Sequence, residues 1–144
     1  MSGEPQRLSV QPTLHDVARA TEALAAVLPA RLAGAARDAV QVALVEVLTN
    51  IVQHGYRGLA PTAIEVAWQE RGDTLAVDVR DAGHAIPAAR LAAAGEDTFA
   101  FDPDDLAALP ENGLGLAILK MAFDVVDYRS DAGTNCMHLE KRLA

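Results

Sequence analysis

Hydrophobic residues recur at helical spacing in two stretches of the first third of the chain. From Asp16 to about Leu28 the apolar positions follow the helical repeat, and Pro29 is expected to end this helix. A longer helix is predicted over residues 35–54, ending at His54-Gly55, because its apolar positions are spaced i, i+3, i+4, i+7 and i+8. These positions are Val40, Ala43, Leu44, Val47, Leu48 and Ile51.

The pattern then changes from helical to strand-like. In residues 64–69 and 75–80 larger apolar side chains alternate with polar residues or alanine, and Arg71-Gly72-Asp73 between them is a turn sequence. The two stretches are predicted to pair as an antiparallel hairpin.

The end of the chain repeats this arrangement. Residues 114–123 have helical spacing, and strand-like residues 125–128 and 137–143 lie on either side of the turn sequence 131–133. Residues 8–10 could be an edge strand or an ordered arm. The predicted fold class is α+β: a two-layer sandwich whose mixed, mostly antiparallel sheet is covered on one face by helices.

Composition and charge narrow the function classes. A chain of 144 residues with 51% apolar residues predicts one domain, residues 1–144. The net charge of -8 disfavours nucleic acid and anionic membranes as partners. One cysteine, Cys136, allows no internal disulfide, and no apolar run is long enough to span a membrane. The N-terminus has no export-signal pattern, so a cytoplasmic location is expected.

Polar residues on the second predicted helix suggest chemistry. Glu46, Asn50 and Gln53 are spaced i, i+4 and i+7 and are expected to form one polar stripe. An Asn oxygen can ligate magnesium and a Glu can orient or deprotonate a hydroxyl, although solvated surface would explain the same residues. His54 could contact phosphate or cap the helix, and the cap is the preferred interpretation.

Two further motifs follow. Asp81-Ala82-Gly83 lies where the second strand ends; Asp81 could accept a hydrogen bond from an exocyclic amine, and Gly83 would let backbone approach a flat ring, although an ordinary turn fits too. Gly113-Leu114-Gly115 opens a helix, where free N–H groups favour phosphate. Neither the Walker nor the dinucleotide-binding pattern is present.

In this order, Glu46-x-x-x-Asn50, Asp81-x-Gly83 and Gly113-x-Gly115 resemble the boxes of the GHKL ATPase superfamily. Within it, the chain is similar to the small serine/threonine kinases that act as anti-sigma factors. Telling stretches are residues 46–56, residues 109–116 and Gly133-Thr134-Asn135. The resemblance implies the Bergerat ATP-binding fold, ATP and Mg²⁺ as cofactors, and a flexible lid at about residues 95–112.

Carried over by position, the resemblance implies a role for each motif residue. Glu46 would be the catalytic base or hydroxyl-orienting group, and Asn50 would contact magnesium and phosphate. Asp81 would bind the adenine amine with Gly83 beside it, and Gly113, Leu114 and Gly115 would hold the phosphates. Ala85 stands where the second box commonly has a glycine.

The function expected from the resemblance is phosphorylation of a Ser or Thr on a small STAS-type anti-anti-sigma protein. The same chain would sequester a sigma factor or other regulator and would form a homodimer, for which Leu8 and Val10 could supply apolar surface. One alternative is a non-catalytic module that switches partners on sensing nucleotide. Another is a detached histidine kinase catalytic domain, which would need a histidine-bearing dimerisation helix that this sequence does not show.

Overall fold

The computed structural model describes residues 4–86 and 118–143. Strand β1 (Gln6–Val10) precedes helices α1 (Leu14–Val27) and α2 (Gly34–Asn50). A π-helical turn, Ile51–Gly55, continues α2 without a break and leads to strands β2 (Ile64–Arg71) and β3 (Thr74–Asp81). After a helical segment at residues 118–122, the chain closes with strands β4 (Val125–Asp131) and β5 (Thr134–Arg142).

The five strands form one sheet in the order β1-β2-β3-β5-β4. All four pairings among the described strands are antiparallel. The predicted hairpins β2-β3 and β4-β5 are confirmed, and β1 is an edge strand beside β2 rather than an ordered arm. Strand β5 enters between β3 and β4, which brings the end of β3 beside the beginning of β5, with Asp81 opposite Asn135.

Alternation along the strands divides the sheet into two faces. Ile64, Val66 and Trp68 of β2 belong to the same buried core as Val17 of α1 and Leu44 of α2. The helices therefore cover one face of the sheet, as predicted, and the other face carries the polar or small residues of these strands, such as Gln69, Asp78 and Cys136. The predicted α+β two-layer class is confirmed.

The two helices are tied together through their ends. Thr13 caps α1 by accepting a hydrogen bond from the Asp16 N–H at 3.1 Å. Arg37 of α2 donates to the carbonyl oxygens of Ala25 (2.6 Å) and Leu32 (2.7 Å) at and beyond the C-terminal end of α1. Because the last carbonyls of a helix lack intrahelical partners, these bonds fix α1 against α2.

Several expectations change or lie outside the described residues. The predicted helix 35–54 is α-helical only to Asn50, since the last turn widens to a π-helix. Val10 is fully buried, so it offers no apolar surface for a dimer. The predicted lid (95–112) and the start of the predicted helix 114–123 lie outside the described residues. None of the described helices has the length and apolar character needed to cross a membrane.

Candidate functional site

A pocket of about 350 Å³ lies between the C-terminal end of α2 with the π-helical turn, the end of β3 and the loop after it, strands β4 and β5, and the helical segment 118–122. Its volume is within the range of small-molecule sites. Its apolar walls come from five separate parts of the chain: Val47, Ile51, Val79, Ile86, Leu119 and Met137. Its polar and charged lining residues are Asn50, His54, Arg57, Asp81, His84 and Tyr128.

Asp81 ends β3 and lies in the lining of this pocket, with only 9% of its surface exposed. Its Oδ1 atom accepts hydrogen bonds from the Gly83 N–H at 2.8 Å and from the Asn135 side chain at 2.9 Å. No residue in the described part of the chain donates to its Oδ2 atom. The carboxylate is thus held by one oxygen, and the other remains able to accept a bond from a ligand.

Gly83 is required by the chain's own packing. A Cβ atom at this position would lie 2.5 Å from the Gly55 carbonyl oxygen, far closer than real contacts allow. The adjacent His84 N–H donates to the same oxygen at 2.6 Å, so the turn after β3 is attached to the end of the π-helical turn. The backbone of Gly55 therefore requires a glycine at this position, and the approach of a flat ring to Gly83 stays a prediction.

Asn135 is a site residue to which the sequence reasoning assigned no role. It is 1% exposed, and its Nδ2 atom donates to Asp81 Oδ1 and, at 2.8 Å, to the Gly83 carbonyl oxygen. Its Oδ1 atom accepts from the Ser130 hydroxyl at 2.7 Å. A usable signal was present in the sequence, because Asn135 occupies an inward position of β5 in phase with the buried Met137 and Leu139.

The predicted stripe on the second helix is only partly realised. Asn50 lines the pocket, whereas Glu46, one turn earlier, does not. Glu46 is half-buried and has no hydrogen-bond or ion-pair partner among the described residues. Gln53 is exposed and outside the pocket, and His54 lines it instead. The lining positions run from Val47 to His54 with the spacing i, i+3, i+4 and i+7, so the pocket meets a side of the helix that includes neither Glu46 nor Gln53.

Basic residues surround the pocket despite the overall acidity of the chain. His54 and Arg57 contact each other, with Nδ1 and Nη2 3.2 Å apart. His84 Nε2 lies 2.6 Å from the Arg57 carbonyl oxygen, which can only accept, so this nitrogen carries a proton. One acidic side chain, Asp81, lies among the described lining residues. This balance favours a ligand that combines an amine with anionic groups.

Tyr128 closes the pocket on the side of β4. Its hydroxyl accepts a hydrogen bond from the Ile86 N–H at 3.0 Å. Burial raises the pKa of this phenol above its ordinary value of 10.0, more than the Ile86 hydrogen bond lowers it. Tyr128 therefore stays neutral at physiological pH and adds no charge to the site.

The predicted phosphate-binding residues Gly113, Leu114 and Gly115 lie outside the described residues. The predicted metal site can be examined in the described part of the chain. For the metal, residues 4–86 and 118–143 contain no group of three or more His, Cys, Asp or Glu side chains that could hold an ion. A magnesium ion at Asn50 would therefore need most of its oxygen ligands from elsewhere, and bound phosphates are its usual source.

Residues 10–141 match the family described as the histidine kinase-like ATPase domain. The chain belongs to this family. Among solved structures, the histidine kinase AdeS of Acinetobacter baumannii is similar, with a TM-score of 0.50 and 12% identity over 96% of this chain and 68% of that one. At this identity the likeness concerns the fold alone. A search of curated proteins found no match.

The pocket of this histidine kinase-like ATPase domain fits an adenine nucleotide chemically. Apolar side chains line it for a flat ring, and Asp81 Oδ2 is available to an amine. Asn50 carries a neutral amide oxygen of the kind that suits a hard cation, and His54 and Arg57 carry nitrogen groups of the kind that suit phosphates. The donor set therefore agrees with the ligand that this class of domain binds.

Proposed function

We propose that this chain is a protein kinase that binds Mg-ATP in the pocket and phosphorylates a Ser or Thr of a small STAS-type anti-anti-sigma protein. The observation that carries the nucleotide part is the Asp81 carboxylate, which is held by one oxygen in the lining of a pocket that also contains Asn50. The acceptor class rests on the resemblance to the small anti-sigma kinases. By the same resemblance, the chain also sequesters a sigma factor or other regulator.

The described residues have separate tasks in this proposal. Asp81 accepts a hydrogen bond from the adenine amine, and the side chains of Val79 and Met137 contact the ring. Asn50 offers its carboxamide oxygen to Mg²⁺, and Arg57 offsets phosphate charge. Gly113, Leu114 and Gly115 are proposed to contact the phosphates through backbone N–H groups.

Glu46 is proposed to act on the acceptor hydroxyl rather than on the nucleotide. Its place one helical turn before Asn50, outside the pocket lining, suits a group that meets an incoming protein side chain. Bound ATP supplies the phosphoryl group. Glu46 orients the Ser or Thr hydroxyl and takes up its proton as the new oxygen–phosphorus bond forms and ADP leaves.

A second candidate function is a nucleotide-sensing module that changes partners without phosphoryl transfer. It is favoured by one observation: Ala85 lines the pocket at a place where related boxes commonly have glycine. In such a module, the Asp81 pocket would bind nucleotide and the change of partner would follow from the altered surface.

Phosphoryl transfer is tested with purified protein, labelled ATP and STAS-type proteins of the same organism as candidate acceptors. We expect the wild type to label the acceptor and Glu46→Gln to reduce the rate at least ~100-fold, the size typical of a lost general base, with unchanged ADP affinity. Glu65→Gln, an exposed glutamate of β2, is the control and should retain full activity. ADP binding without any transfer by the wild type would instead support the sensing module.

The homodimer remains a proposal. Strand β1 has β2 on one side, and no described strand pairs with its other edge, so a second copy could add there. Light scattering coupled to gel filtration would report twice the chain mass if this is right, and the mass of one chain if it is wrong.

A further inference from the structure

Asn135 lies at the centre of a closed set of hydrogen bonds behind the pocket. We infer that it is a positioning residue that makes the site select a 6-amino purine over a 6-oxo purine, by holding Asp81 with one defined oxygen toward the ligand. This inference rests on the proposed binding of ATP. Asn135 does not line the pocket, so it would act through Asp81 rather than by touching the base.

The orientation of the Asn135 amide is determined by its neighbours. Its NH₂ group faces Asp81 Oδ1 at 2.9 Å and the Gly83 carbonyl oxygen at 2.8 Å, and neither of these atoms can donate. Its carbonyl oxygen faces the Ser130 hydroxyl, which donates to it at 2.7 Å. The reverse orientation would place oxygen against two acceptors, so Asn135 has one amide orientation in this fold.

This arrangement determines what Asp81 can recognise. Asp81 Oδ1 already accepts from Asn135 and from the Gly83 N–H, which leaves Oδ2 as the oxygen free for a ligand. A carboxylate oxygen only accepts, so it pairs with an amino group and repels a carbonyl oxygen at the same place. The buried amide of Asn135 thereby converts a mobile carboxylate into a directional acceptor, which is how preorganised sites discriminate between ligands.

A merely structural role for Asn135 would have the same contacts, so the test needs a readout that packing alone does not change. Asn135→Asp has nearly the same shape but carries no donor when ionised, and it sets two carboxylates against each other. At low pH the pair can share one proton, which restores a donor to Asp81 Oδ1. The loss of ligand affinity should therefore depend on pH.

Other groups near Asp81 also titrate or carry charge and must be separated from this effect. They are His54 and Arg57 of the π-helical turn and the segment after it, His84 of the loop after β3, and Tyr128 of β4. All of them, and the nucleotide phosphates, are present in wild type and variant alike. The ratio of the ADP affinity of wild type to that of the variant at each pH therefore reports the effect of the substitution at position 135.

The experiment is calorimetric titration of Mg-ADP and Mg-GDP into wild type and Asn135→Asp between pH 5.5 and 8. We expect wild type to prefer ADP to GDP. The variant should bind ADP at least ~10-fold more weakly than wild type at pH 8, and this difference in ADP affinity should fall to about 3-fold or less at pH 5.5. Thr134→Asp, which adds the same charge on the neighbouring exposed residue, should leave the ratio near one at both pH values.

A second variant covers the case in which Asn135→Asp does not fold. Ser130→Ala, at an exposed residue, removes the donor that fixes the Asn135 carbonyl, and ADP affinity and the preference for ADP over GDP should each fall about 2- to 5-fold. An unchanged preference in Ser130→Ala, or a variant-to-wild-type ratio at position 135 that is flat with pH, overturns the inference. Failure of wild type to bind ADP would overturn the proposed function itself.

Discussion

Two polar pairs on the same ladder between β3 and β5 show how burial changes the use of similar residues. Asp81 lies opposite Asn135 and Asp78 lies opposite His138, three residues apart and on opposite faces of the sheet. The first pair is under the helices, where Asp81 is 9% and Asn135 1% exposed. The second is on the open face, where each side chain is 29% exposed.

The partners of the two carboxylates differ accordingly. Asp81 is held by neutral N–H donors at one oxygen and keeps the other for the pocket. Asp78 accepts from His138 Nδ1 at 2.7 Å, and Nε2 of the same ring meets Glu140 at 3.0 Å. Partial burial alone would lower the pKa of His138, but hydrogen bonds to these two carboxylates raise it above 6.5 overall. The buried pair prepares a site, while the exposed pair joins two strands in a pH-dependent way.

The strongest test of this contrast is the same substitution at both carboxylates. Asp81→Asn keeps the bonds at one side-chain oxygen but puts an NH₂ group where Oδ2 met the ligand amine, so ADP affinity should fall by about 100-fold or more. Asp78→Asn, on the open face of the same strand, should leave ADP affinity unchanged. Calorimetric titration measures both, and equal losses in the two variants would refute a site confined to the covered face.

The next largest effect is expected at the glycine that supports the buried pair. Gly83→Ala places a methyl group 2.5 Å from the Gly55 carbonyl oxygen, so the turn after Asp81 must shift. We expect a loss of roughly 1–3 kcal/mol in the free energy of unfolding, as for other overpacked positions.

Gly55→Ala is the matched control for this loss. Its new methyl group would meet Ile51 at an ordinary 3.5 Å, so the free energy of unfolding should change little. Urea denaturation followed by circular dichroism compares the two variants. Equal stability of Gly83→Ala and wild type would show that the turn is not attached to Gly55 as described.

The smallest effect concerns the exposed pair. Because the pKa of His138 is raised in the folded state, its contribution is fully present below the unfolded value of 6.5 and is lost as pH rises through the folded value. Wild type should therefore lose about 0.5–1 kcal/mol more stability than His138→Gln between pH 6 and pH 8.5. Asp78→Asn should show a reduced pH dependence too, whereas Asp81→Asn should retain that of wild type.

Most of the fold could be predicted from local pattern. Alternation in residues 64–69 and 75–80 predicted both strands of the first hairpin, and the turn at residues 131–133 predicted the second. The helical repeat located α1 and α2 to within a few residues. These features depend on which side chains face the core, and the spacing of apolar residues along the sequence indicates that directly.

The site was predictable in part. Asn50 and Asp81 were selected from motif order, and the structure brings both to one pocket. The polar stripe was assigned from residue type, so Gln53 was included although it lies outside the pocket, and the position of His54 in the pocket lining agrees with the less favoured of its two interpretations. The buried position and the contacts of Asn135 were not predicted either, because the sequence of one strand does not show which residues a polar side chain in it will hydrogen-bond.

The sequence by itself therefore determined the elements, the two faces of the sheet and the membership of motif residues in a nucleotide-binding family. Only the tertiary structure decided that β5 enters beside β3, that Asn135 holds Asp81 by one oxygen, and that Gly83 is pressed against Gly55. The physical reason is distance along the chain. The periodicity of a short stretch of sequence shows which of its residues face the core. The contacts named above join residues 28 to 54 positions apart, so they depend on how the whole sheet assembles.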